Sequence, residues 1–181
     1  LTAAQQQDAV YAGAVAACSQ LGFIAIDADC IASAWAAQSQ RLGGFDAQAW
    51  PSAAADFGLL PACGAGAFAA CPQQLGLYAV LPTADWVGRM ARAGVPTVQL
   101  RFKSDDAAAI AREIAAAVEA VKGTNALLFI NDHWRQAIAA GSYGVHLGQE
   151  DLDALSAADL AALRASGVRL GVSTHGYAEM V

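Results

Sequence analysis

Basic residues are scarce in this chain. Ten Lys and Arg stand against sixteen Asp and Glu among 181 residues, a formal charge of −6. Nucleic-acid binding draws on counterion release from a basic footprint, so a chain this acidic makes a poor nucleic-acid partner. An anionic ligand stays open wherever a few local cations or a metal outweigh the global field. Cysteine is sparse as well. Cys18, Cys30, Cys63 and Cys71 form no CxxC pair, which argues against metal ligation by thiols and fits a reduced cytoplasm. The three histidines, His133, His146 and His175, show no zinc spacing, either among themselves or with the cysteines. Charged residues make up only 14% of the chain against 56% hydrophobic, which excludes a disordered polymer. Long apolar runs are missing too. The uncharged stretch from Ala9 to Ile26 is interrupted by Ser19, Gln20 and Gly22 and followed by Asp27 and Asp29, so a buried helix is expected, not a membrane span. The 181 residues show no convincing secretory signal pattern.

What is present falls into two textures. Residues 1–45 read as helical and alanine-rich. One helical run starts near Asp8; a second starts at Asp27-Ala28-Asp29, continues through Ile31, Trp35 and Ala36, and ends at Gly43-Gly44. From Phe45 to Gly76 the residues Pro51, Pro61, Gly64, Gly66 and Pro72 predict an irregular connector, with room for a short helix near Ser52 to Phe57. From Leu77 onward, strands alternate with helices. Strands are predicted at 77–81, 97–101, 127–130, 144–147 and 169–172.

Four helices fill the gaps between them. The first, 85–93, carries Trp86, Val87 and Met90 on one face. The second is capped by Ser104, repeats Ile110, Ile114, Val118 and Val121, and closes at Lys122-Gly123. The third spans 133–140. The fourth opens at Ser156, carries Leu160 and Leu163, and ends at Gly167.

This alternation implies an α/β fold with a parallel sheet. Barrels and doubly wound sheets both bind ligands at the carboxyl ends of their strands. The glycine-rich phosphate turn of the doubly wound class is absent, since Pro82-Thr83-Ala84 follows the first strand. A (β/α)8 barrel, with about five βα units present, is therefore expected over residues 76–181. A helical segment and linker over 1–75 precede it.

Polar residues cluster at those strand ends. Side chains alternate along a strand, so Gln99, Arg101 and Lys103 share one face while Val98 and Leu100 face the helices. An amide, a guanidinium and an ammonium together can grip phosphoryl oxygens. Taken alone, Arg101 and Lys103 read as a solvated strand end paired with Asp105 or Asp106. Asn131-Asp132 ends the third strand, where an aspartate often merely caps the next helix. Asp151, after the fourth strand, reads alone as a turn carboxylate. Together Asp132 and Asp151 come from adjacent strand ends and could share one Mg²⁺, a cation content with few carboxylates plus water and phosphate oxygens. Ser173 offers a hydroxyl to an anion. His146, within the fourth strand, reads as a satisfied core histidine, and His133 and His175 as surface or rim residues.

These segments carry a family likeness. Residues 76–181 resemble the N-terminal part of the thiamine phosphate synthase family through GLYAV, VQLRFK, LLFINDHWRQAI, GVHLGQEDL and RLGVSTH, in family order. The resemblance implies a (β/α)8 transferase of thiamine diphosphate biosynthesis. Such an enzyme couples hydroxymethylpyrimidine diphosphate to thiazole phosphate and releases pyrophosphate. It further implies that Gln99, Arg101 and Lys103 bind the diphosphate region, with Arg101 and Lys103 as the catalytic cations. Asn131 would contact the diphosphate, Ser173 the substrate, and Asp132 and Asp151 would hold Mg²⁺. The implied partners are these small molecules, with neither nucleic acid nor membrane; a homo-oligomer is left open. Two other readings use the same barrel: a thiazole tautomerase, which needs no diphosphate apparatus, and a non-catalytic sensor of thiamine precursors.

The family's barrel needs further strands, carrying its thiazole-phosphate loops and a later lysine. The sequence opens on Leu1 and stops at Val181 within a starting helix, so a piece of a longer protein is expected. Five strands cannot close a barrel and leave an apolar edge, so the chain alone is expected to be inactive and poorly soluble. Residues 5–36 resemble the closing helices of a hydroxymethylpyrimidine phosphate kinase-like domain. Gln5-Gln6-Gln7 precedes Asp8 where a glycine-rich anion hole would stand, so no kinase function is carried over.

Overall fold

The computed structural model describes residues 3–59 and 67–181. Cys63, Pro61, Gly64 and Gly66 of the expected connector lie outside the described residues. The chain divides into two compact units, Leu1–Ala62 with Thr174–Val181, and Cys63–Ser173.

The first unit is built on α1 (Ala3–Gln20) and α2 (Ala25–Leu42), followed by a single 3-10 turn at Ala54–Phe57. The helices meet through small side chains, burying Ala14, Cys18, Ala28, Ile31, Ala32 and Trp35 together. The chain after α2 is tied back to it. Trp35 Nε1 donates to the Asp46 carbonyl at 3.2 Å and Gln38 Nε2 to the Ala49 carbonyl at 2.6 Å. The short α8 (Tyr177–Met180) belongs to this unit, and the buried Asp27 accepts the Ala178 N–H at 2.9 Å. Among the described residues no helix is long and apolar enough to cross a membrane.

The second unit alternates β1 (Tyr78–Leu81), α3 (Ala84–Arg92), β2 (Thr97–Leu100), α4 (Ala107–Ala120), β3 (Leu127–Asn131), α5 (Trp134–Ala140), β4 (Gly144–Leu147), α6 (Gln149–Asp153), α7 (Ala157–Ala165) and β5 (Arg169–Val172). All strand pairs are parallel, in the spatial order β1-β2-β3-β4-β5. A doubly wound sheet reverses its order at a switch point. This sheet winds one way throughout, as five successive βα units of a (β/α)8 barrel do.

Alternation along each strand sorts the side chains. Val98, Leu100, Leu128, Ile130, Val145 and Leu147 are buried with Val87, Ile110, Ile114, Ala117, Trp134, Ala137 and Leu163 of the helices. The intervening positions, Tyr78, Thr97, Gln99, Phe129, Asn131, His146 and Ser173, lie on the opposite face.

Three local expectations are corrected. Asp106, not Ser104, caps α4, accepting the Ala108 and Ala109 N–H groups, while Ser104 accepts the N–H of Asp106. A carboxylate adjacent to the positive helix end outcompetes a hydroxyl two residues earlier. Trp86 is exposed beneath the Arg89 guanidinium instead of sharing the buried face with Val87, because neighbouring helical residues point about 100° apart. The short α6 was not expected; it is too brief to show a periodic pattern.

Candidate active site

Strand alternation brings a line of polar groups together on the face away from the helices. Tyr78 Oη donates to Gln99 Oε1 at 2.8 Å, and Gln99 Nε2 donates to Asn131 Oδ1 at 2.7 Å. The register pairs Val80 with Gln99 and Gln99 with Phe129, which sets Tyr78 and Asn131 diagonally on either side of Gln99. Gln99 is only 3% exposed, so both ends of its amide are spent inside the protein. Burial pushes the Tyr78 phenol up to about 12, with a smaller contribution from Cys71.

One residue beyond this line the surroundings become charged and open. Arg101 is exposed, and its N–H extends the ladder to the Leu81 carbonyl at 2.8 Å. Lys103 is exposed too, but its Nζ lies 3.0 Å from Asp132 Oδ2. It therefore pairs with neither Asp105 nor Asp106. Asp132 does not cap α5: its side chain faces Lys103, and its φ of 64° puts it in the left-handed region. Its N–H donates to the His146 carbonyl at 3.0 Å and its carbonyl accepts the Trp134 N–H at 2.8 Å, which hold the strained conformation. Non-glycine residues in that region cluster where function requires a fixed side chain.

The fourth and fifth strands add a second polar group. His146 Nε2 lies 2.9 Å from Ser173 Oγ. Burial lowers the imidazole pKa below its ordinary value, with the Asp132 carboxylate partly opposing. Gln149 Nε2 donates to the Ser173 carbonyl at 2.8 Å, tying α6 to the end of β5. Asp151, in α6, accepts the Gly148 N–H through Oδ2 at 3.2 Å. Among the described residues no cluster of three or more His, Cys, Asp or Glu side chains could hold a metal ion.

The structure thus joins Gln99 to Asn131 and Lys103 to Asp132 by direct contact. Among the described residues, Arg101, just past β2, and Asp151, in α6 after β4, form no side-chain hydrogen bond or ion pair with these pairs. Tyr78 and Gln149 were missed by sequence reasoning. Tyr78 could have been found from its place two residues before Val80 on the Gln99 face of β1. His146 was expected to be a satisfied core histidine; it is satisfied, but by Ser173 on the polar face.

Comparison with known proteins follows these same segments. The chain is 61% identical over 106 residues to a thiamine-phosphate synthase of Neisseria gonorrhoeae, covering 59% of this chain and 50% of that one. It is 50% identical over 113 residues to the thiamine-phosphate synthase of Yersinia pestis, covering 62% and 51%. A solved thiamine phosphate pyrophosphorylase from Pyrococcus furiosus aligns at 23% identity with a TM-score of 0.48, over 55% of this chain and 50% of that one. The chain spans about half the length of the curated relatives it matches. The family model for thiamine monophosphate synthase matches residues 77–181, and this chain belongs to that family.

Proposed function

We propose that this chain carries the pyrimidine-diphosphate side of a thiamine phosphate synthase, a cytoplasmic transferase that couples hydroxymethylpyrimidine diphosphate to thiazole phosphate. The observation that carries this reading is the 61% identity to a thiamine-phosphate synthase over 106 residues, beside a family-model match over residues 77–181, which hold the polar rim. The C–O bond of the pyrimidine methylene breaks, and its electron pair leaves on pyrophosphate. The thiazole nitrogen then forms the new C–N bond. No protein nucleophile is needed, so catalysis rests on positioning and on balancing the leaving charge.

In this reading Arg101 and Lys103 bind the departing diphosphate, Asn131 donates an N–H to it, and Ser173 contacts the substrate. Gln99 serves the same region from below, through Asn131. Two carboxylates at adjacent strand ends match the oxygen donors that magnesium takes, with water and phosphate oxygens completing its shell. Asp132 and Asp151 would hold the ion, which when bound supplies positive charge to the diphosphate oxygens.

The test is reconstitution. The chain is assayed alone and co-expressed with the second half of the Neisseria gonorrhoeae relative, with both substrates and Mg²⁺. Pyrophosphate release is expected only from the reconstituted protein. A reconstituted barrel that binds both substrates but releases none would make the protein a sensor and end the synthase reading.

A further inference from the structure

We infer that Tyr78 is a positioning residue that sets the polarity of the Gln99–Asn131 amide pair, so that Asn131 presents an N–H and not a carbonyl to the anion at the rim. An amide has two nearly isosteric ends, and steric fit alone does not choose between them. A chain of two amides therefore has two internally consistent polarities. In one, Gln99 donates to Asn131 and the Asn131 Nδ2 group turns away from Gln99. In the other, Asn131 donates to Gln99 and its Oδ1 turns outward, where it would repel a phosphoryl oxygen.

The choice is made at the far end of the chain, by a phenol. Tyr78 has one hydroxyl proton, and burying it without an acceptor is costly. The acceptor it finds is Gln99 Oε1, at 2.8 Å. That commits Nε2 to Asn131 Oδ1, at 2.7 Å, and so fixes Asn131 one strand further on. Gln99 is too buried at 3% exposure for water to supply a substitute proton. The phenol keeps that proton throughout the working range, since burial holds its pKa near 12. Tyr78 itself need not touch the ligand.

The identity of the ligand rests on the diphosphate reading proposed above; the polarity claim does not. The experiment separates them by using two readouts on the whole chain. Side-chain amide NMR signals of Asn131 and Gln99 are assigned by their loss in Asn131→Ala and Gln99→Leu. In the wild type, Gln99 protons should exchange slowly and Asn131 should show a single set of signals. In Tyr78→Phe, which keeps the ring, the Asn131 signals should double or broaden as both polarities become populated. Gln99→Glu keeps the shape and, at a pH high enough to ionise it, can only accept, so Asn131 must donate back and its amide protons should become protected. Asn131 signals unchanged in both variants overturn the proposal.

The second readout is calorimetric binding of inorganic pyrophosphate with Mg²⁺. Two polarities of similar energy leave about half of the protein competent, so Tyr78→Phe should weaken binding about twofold. In an Asn131→Ala background the same change should have no effect. An equal loss in both backgrounds means Tyr78 is merely structural and overturns the proposal. A wild-type chain that binds no pyrophosphate defeats the diphosphate reading, and the NMR result still decides the role of Tyr78.

Discussion

Lys103 Nζ lies 3.0 Å from Asp132 Oδ2, and the two side chains are 62% and 28% exposed. A pair this open contributes little to folding, about 0–1 kcal/mol. Under the proposed function it is two parts of a site that neutralise each other until a ligand separates them. A magnesium ion on Asp132 would displace the ammonium, which is then free for a phosphoryl oxygen. Lys103→Met should thus act in opposite directions on two ligands. Mg²⁺ alone should bind more tightly, having lost a competitor. Pyrophosphate should bind about tenfold more weakly, having lost a charged hydrogen-bond donor. Thermal stability should barely move. Calorimetry with each ligand checks this; affinities that fall together would deny Lys103 the double role.

Asp132 holds a φ of 64°, the one positive value among the described non-glycine residues. Such a conformation costs an L-residue about 1–2 kcal/mol, less for Asp, whose short polar side chain bonds locally. Asp132→Gly should therefore keep or raise the melting temperature. Asp132→Ala should lower it by the equivalent of about 1 kcal/mol. Both should lose Mg²⁺-dependent pyrophosphate binding. A glycine variant less stable than the alanine one would show that the backbone is not strained there.

The fold was legible because the barrel repeats one simple unit. Each strand is a short apolar run and each long helix has an apolar stripe, so elements such as β4 and β5 were placed at their observed limits. Rim composition was legible for the same reason, since polar residues stand out where an apolar strand ends. Contacts were not. Whether Asp132 caps α5 or meets Lys103 depends on its left-handed backbone, which no spacing rule announces. Tyr78 passed as an ordinary strand aromatic because its contact with Gln99 depends on a register shared with β2. Asp151 fell in the five-residue α6, too short for periodicity to show.

Two glycines on the polar face make room for rings. A Cβ at Gly171 would come 2.7 Å from His146 Nδ1, and one at Gly144 would come 2.5 Å from Phe129 Cε1 and 2.9 Å from the Arg169 carbonyl oxygen. His146 is half-buried and can turn, whereas Phe129 is 2% exposed and the carbonyl belongs to the sheet. Gly144→Ala should therefore cost about 3 kcal/mol, near the upper end for overpacking, and Gly171→Ala about 1 kcal/mol. Only Gly171→Ala should separate His146 from Ser173, visible as changed imidazole nitrogen shifts. Chemical denaturation gives the order of the two costs; the reverse order would mean the sheet gives way more readily than the imidazole.

The helical unit should lose stability in acid through one carboxylate. Arg41 donates to both oxygens of Asp56, Nε at 2.8 Å and Nη2 at 2.5 Å, and the Asp56 side chain is 3% exposed. The guanidinium holds the Asp56 carboxyl below the usual carboxylate range, with burial partly opposing. The unfolded chain therefore takes up the proton first as pH falls. The stabilisation is complete above the unfolded value, about pH 4, and drains away as pH drops through the lower folded value. Asp56→Asn, which cannot carry the charge, should melt several degrees below the wild type at pH 7. The gap should close as pH falls below about 4, where both side chains are neutral in the unfolded state. Melting curves of the two proteins from pH 7 to pH 3 test this. A gap that stays constant or widens in acid would mean that Arg41 does not stabilise the fold through the Asp56 charge.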